Sequence, residues 1–134
     1  MNQYSHDPCL VVRVLDGQAG CVHAARDQAR AFLHDCTPGM SEQARDDVLL
    51  LVSELVTNAV RHAPGPCALT LRCNGMLKVA VTDASTEVPG ARAPDTIGGT
   101  GGFGWHLINS LADQVQIRID QPGGKTITAV LAPH

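Results

Sequence analysis

Two extended runs, Cys67 to Cys73 and Met76 to Asp83, are joined by Asn74-Gly75, and this dipeptide limits the fold more than any other feature. A two-residue turn between strands needs positive φ at both positions, which Asn and Gly adopt at least cost, so the segment predicts an antiparallel hairpin. The flanking sequence supplies the other elements. Cys9 to Leu15 reads as a strand ended by Asp16-Gly17. Val22, Ala25, Ala29, Phe32, Leu33 and Cys36 then recur at helical spacing until Thr37-Pro38-Gly39 stops the pattern. Ser41 can cap a second helix, with Glu42, Asp46 and Asp47 early, where the helix dipole favours anions. That helix runs to about His62 and is broken by Ala63-Pro64-Gly65-Pro66. Beyond the hairpin, Leu107, Ile108 and Leu111 mark a helical face. Two strands follow, Gln114 to Ile119 and Thr126 to Leu131, around a turn at Gln121-Pro122-Gly123-Gly124. The order β-α-α-β-β-loop-α-β-β lacks the strict alternation of a doubly wound sheet. It predicts an α+β two-layer sandwich, a mixed β-sheet with helices on one face.

At 134 residues and 44% apolar the chain suits one domain with one core, residues 1–134. Only Lys78 and Lys125 are lysines and the net charge is −3, so the basic footprint of a nucleic-acid binder is missing. No apolar run reaches the roughly 20 residues of a membrane span, and Met1 to Pro8 is polar, so the expected setting is cytoplasmic, without membrane contact. Five cysteines, widely spaced and without a C-x-x-C pair, read as buried thiols and not as a disulfide framework or metal site.

Three groups of residues carry chemical potential. On the second helix Glu54, Thr57, Asn58, Arg61 and His62 share a face beside the buried stripe of Val48, Val52, Leu55 and Ala59. A carboxylate and an amide one turn apart can serve as general base and hard-metal ligand; the same spacing also suits a solvated polar face. Asp83 ends the hairpin, where its carboxylate can accept from an exocyclic amine such as that of adenine, or can simply close the strand. From Ala84 to Gly102 there is no periodicity, and so long a loop within one domain is usually functional or disordered. Gly98-Gly99-Thr100-Gly101-Gly102-Phe103-Gly104 then precedes a helix, placing backbone N–H groups where phosphate oxygens bind. The G-x-G-x-x-G within it does not directly follow a strand, which argues against a dinucleotide fingerprint, and Ile119 five positions before Gly124 excludes a P-loop.

In this order the motifs resemble the GHKL (Bergerat-fold) ATPase superfamily, the histidine-kinase-like ATPase domains, and within it the small bacterial serine kinases that act as anti-sigma factors. Glu54 to His62 is similar to the N-box, so the resemblance implies Glu54 as catalytic base, Asn58 as magnesium ligand, and Arg61 and His62 near the sugar and phosphates. Val81-Thr82-Asp83 with Val88-Pro89 resembles the G1 box, implying that Asp83 binds the adenine amino group above an apolar floor at Val88. Ser85 and Glu87 stand where that box usually has glycines. Gly101, Gly102, Phe103 and Gly104 resemble the G2 box that cradles phosphates, and Thr126 in Gly124-Lys125-Thr126 would support adenine through a water molecule. Residues at about 84–101 would form the ATP lid.

The resemblance implies ATP and Mg²⁺ as cofactors and phosphorylation of a serine or threonine on a STAS-type anti-anti-sigma partner. It also implies a sigma factor bound in the alternative state, and it is compatible with a homodimer. The departures in the G1 box motivate an alternative from another class: a regulatory module that captures its partner with little or no phosphotransfer.

Overall fold

The computed structural model describes residues 9–63, 65–86, 101–120 and 123–133. The elements are β1 (Leu10–Leu15), α1 (Cys21–Cys36), α2 (Glu42–His62), β2 (Cys67–Asn74), β3 (Met76–Asp83), α3 (Gly101–Leu111), β4 (Gln114–Ile119) and β5 (Lys125–Leu131). Ser41 caps α2 as its position predicts, its hydroxyl accepting from the Ala44 N–H at 3.1 Å. Gly75 holds the hairpin turn at a φ of 82°, whereas Asn74 does not take the positive φ expected of it and instead ends β2 opposite Met76.

The strands form one five-stranded sheet in the order β1-β2-β3-β5-β4. The α+β two-layer arrangement is the expected one, but the sheet is antiparallel throughout and not mixed. Connectivity explains the difference. Two helices between β1 and β2 carry the chain out and back, so β2 returns antiparallel to β1. One helix between β3 and β4 leaves those two strands pointing the same way, yet β5 inserts between them and they never pair.

Alternation along the strands sends one set of side chains to the helices. Leu69, Leu71, Leu77, Val79, Val81, Ile127 and Ala129 are buried there, with cross-strand partners such as Leu69 with Val81 and Val79 with Ala129. They pack against Ala25, Ala29, Phe32 and Leu33 of α1, the stripe Val48, Val52, Leu55, Val56 and Ala59 of α2, and Ile108 of α3. Full burial of one Leu or Val side chain contributes about 1.5–3 kcal/mol, so α2, the most deeply embedded helix, is also the most firmly placed. That matters because α2 carries the candidate base.

Five cysteines lie within this layer, and no disulfide joins them. Cys21 and Cys67 are buried as expected, whereas Cys9, Cys36 and Cys73 are half-buried. Desolvation, a hydrogen bond with Cys9 and the neighbouring thiols of Cys9 and Cys73 push Cys36 up to about 12. Desolvation first, then the charges of Cys21, Asp83 and Asp16, raises Cys67 to about 11.

Candidate nucleotide site

The outer turn of the α2 face is graded. Glu54, Thr57 and Asn58 are half-buried, His62 likewise, and Arg61 at the C-terminal end is exposed. Glu54 points at the start of α3. A Cβ placed on Gly104 would come within 2.8 Å of the Glu54 Oε1 atom, so any larger residue there would push that carboxylate aside. Residues fifty positions apart are thereby brought together as the motif order implied.

Asn58 Oδ1 is buried and has no hydrogen-bond partner among the described residues. Leaving such an acceptor unpaired costs about 1–3 kcal/mol, so the orphaned amide oxygen calls for a donor or a cation. Among the described residues there is no cluster of three or more His, Cys, Asp or Glu side chains able to cage a metal. Mg²⁺ suits this arrangement, because it is commonly held by one or two protein oxygens with water and substrate phosphates completing its shell.

Asp83 lies at the end of β3, 5% exposed, beside the fully buried Lys125 at the start of β5. The Lys125 ammonium donates to Asp83 Oδ1 at 3.0 Å and to Oδ2 at 2.9 Å, and the Ser85 N–H donates to Oδ1 at 2.9 Å. Gly124, at a φ of 104°, allows β5 to begin against this corner, since a Cβ there would collide with the Asp83 carbonyl oxygen. Sequence reasoning assigned no role to Lys125. Its signal was its place in Gly124-Lys125-Thr126, two strands from Asp83 in order but directly opposite it in register.

Thr126 itself is turned away from the Asp83 carboxylate. Thr126 pairs with Thr82, one step along from the Asp83–Lys125 pair, so alternation turns its side chain to the other face of the sheet. There its hydroxyl donates to Asp120 Oδ2 at 2.9 Å and lies 2.8 Å from the Thr82 hydroxyl. Hydrogen bonds from Arg118 and then Thr126 hold the Asp120 carboxyl below its ordinary value.

The glycine run differs in detail from expectation. Gly101, Gly102, Phe103 and Gly104 form the first turn of α3 instead of preceding it. The first four N–H groups of a helix have no partner within it, so the capacity to face an anion remains. Trp105 is half-buried next to this turn and His106 is exposed. Val88, and the expected lid apart from residues 84–86 and 101, lie outside the described residues. An open pocket of about 330 Å³ lined by Arg13, Leu15, Asp16 and Cys21 involves none of the candidate residues.

A family model described as the histidine kinase-like ATPase domain matches residues 17–131, which include α2, Asp83, α3 and Lys125. The chain belongs to the histidine kinase-like ATPase family. No curated protein matches it. A solved structure of the RsbU and RsbW domains of Rv1364c from Mycobacterium tuberculosis shares its fold, with a TM-score of 0.65 at 21% identity. The match covers 92% of this chain and 32% of that one, so this ATPase domain spans about a third of the larger chain. Membership accounts for the meeting of α2 with α3 and implies ATP binding. The buried ammonium on Asp83 is a feature of this ATPase domain's own residues. Among its described residues no helix is long and apolar enough to cross a membrane.

Proposed function

We propose that this domain is a Mg²⁺- and ATP-dependent protein serine/threonine kinase of the anti-sigma type, which phosphorylates a STAS-type anti-anti-sigma partner and binds a sigma factor in the alternative state. The observation that carries the reading is the contact of Glu54 with Gly104 in the first turn of α3, with the orphaned Asn58 oxygen one helical turn further along α2. Glu54 takes the proton from the acceptor hydroxyl as its oxygen attacks the terminal phosphorus, and the leaving diphosphate departs on the opposite side. The N-terminal N–H groups of α3 hold the phosphates, and Arg61 and His62, both about one turn beyond Asn58 on α2, would flank the sugar side. Mg²⁺ bound at Asn58 would neutralise phosphate charge.

The test is a titration with ATP, with and without Mg²⁺, followed by calorimetry and Trp105 fluorescence, and then transfer of labelled phosphate to a STAS protein. One-site, Mg²⁺-dependent binding that weakens in Asn58→Ala is expected. Glu54→Gln should retain ATP and lose transfer; transfer at the wild-type rate in that variant would remove Glu54 as the base.

A regulatory binding module is the second reading, favoured by one observation: the Asp83 carboxylate is already engaged by Lys125 and the Ser85 N–H. Stoichiometric capture of a partner without phosphate incorporation would support it over the kinase.

A further inference from the structure

We infer that Lys125 is a specificity-determining residue, weakening recognition of a 6-amino purine at Asp83 so that the site discriminates poorly between adenine and guanine nucleotides; this rests on the nucleotide-site reading above. A carboxylate offers about four acceptor positions, two per oxygen. Oδ1 already accepts from the Lys125 ammonium at 3.0 Å and from the Ser85 N–H at 2.9 Å, so it is full. Oδ2 accepts from the same ammonium at 2.9 Å and keeps one position.

An exocyclic amine arriving at that last position meets a carboxylate whose charge is paired, with a cation beside the approach. Its N–H dipole gains little there, because the ammonium's field opposes it. The lysine does not stand aside at no cost: it is fully buried, and its third hydrogen faces the Ser85 carbonyl oxygen at 3.5 Å. Withdrawing from Asp83 would leave both charges buried and unpaired. A 6-oxo purine suffers less, since its carbonyl is attracted by the ammonium while its ring N–H uses the remaining carboxylate position. The pair therefore narrows the difference between the two bases and lowers affinity for the amino form.

The experiment measures dissociation constants of Mg²⁺ATP and Mg²⁺GTP for wild type and Lys125→Met, by calorimetry with Trp105 fluorescence in parallel. Met fills a similar apolar volume without the charge and frees two acceptor positions on Asp83. A hydrogen bond to a charged group is strong enough that ATP should tighten about tenfold or more in Lys125→Met while GTP changes less than about threefold. Should thermal melting show that this variant does not fold, Lys125→Gln, which keeps a donor without the charge, should shift the ATP-to-GTP ratio in the same direction by a smaller factor. An unchanged ratio, or equal weakening of both nucleotides, would give Lys125 a purely structural role and overturn the inference. If that occurs while Asn58→Ala still weakens Mg²⁺-dependent binding, the nucleotide site stands and only the inference falls. Absence of binding of either nucleotide by wild type and both variants up to millimolar concentration would overturn the two together.

Discussion

Adding one methyl group at Gly104 separates the stability of α3 from the catalytic role proposed for Glu54. The Cβ of Gly104→Ala would lie 2.8 Å from Glu54 Oε1, whereas ordinary contact begins at 3.4 Å, so the carboxylate must retreat by roughly 0.6 Å. The oxygen ends a flexible side chain and can give way, and the helix backbone need not move. Alanine inside a helix is favoured over glycine by about 0.5–1 kcal/mol, which for a chain of this size corresponds to a melting temperature higher by a few degrees at most. Catalysis has no such tolerance. A misplacement of about 1 Å can cost 10²-fold, so the smaller retreat is expected to slow phosphotransfer by about tenfold. Thermal melting by circular dichroism reads the first effect, and single-turnover transfer of labelled phosphate from ATP to a STAS protein reads the second. In a Glu54→Ala background the crowding is gone, and the same substitution should raise the melting temperature by its full propensity gain. Wild-type transfer rates in a folded Gly104→Ala protein would refute the reasoning, because the contact between α3 and the carboxylate would then be irrelevant to turnover.

Two further outcomes follow from the shifted titrations. Asp120 has a folded pKa below its unfolded one, so its bonds to Arg118 and Thr126 add stability above the ordinary carboxyl range and lose it as pH falls through the lowered value. Melting curves of wild type and Asp120→Asn should therefore differ at pH 7 and converge in acid, and a gap independent of pH would contradict the assignment. Cys36 and Cys67, raised to about 12 and about 11, hold little thiolate at pH 8. Iodoacetamide followed by peptide mass analysis should leave both unmodified in the native protein and alkylate both in urea; prompt native labelling of either would contradict the burial that raises them.

Much of the fold could be read from local signals. Asn74-Gly75 placed the hairpin, Ser41 the start of α2, and Thr37-Pro38-Gly39 the end of α1, because each is a short-range backbone preference. Strand direction was less accessible, since the insertion of β5 between β3 and β4 is decided by packing between elements far apart in sequence. The same limit applied to the site. Spacing put Glu54 and Asn58 on one helical face, but the approach of Glu54 to Gly104 depends on how α2 and α3 cross. At the other end of the site, Thr126 and Lys125 are neighbours in sequence, and only the β3–β5 register decides which of them meets Asp83. A shift of a single residue exchanges their faces.

That sensitivity has a consequence for folding. Asp83 and Lys125 stand opposite each other where β3 and β5, two central strands of the sheet, begin to pair. Were β5 to dock one residue out of step, Asp83 would face Gly124 or Thr126, and a buried carboxylate and a buried ammonium would each lose their counterion. Such a slip already turns Ile127 and Ala129 away from the helices, and the charged contact adds a second penalty to it. The ion pair thus acts as an alignment key for the sheet, rejecting near-native pairings whether or not a nucleotide is ever bound.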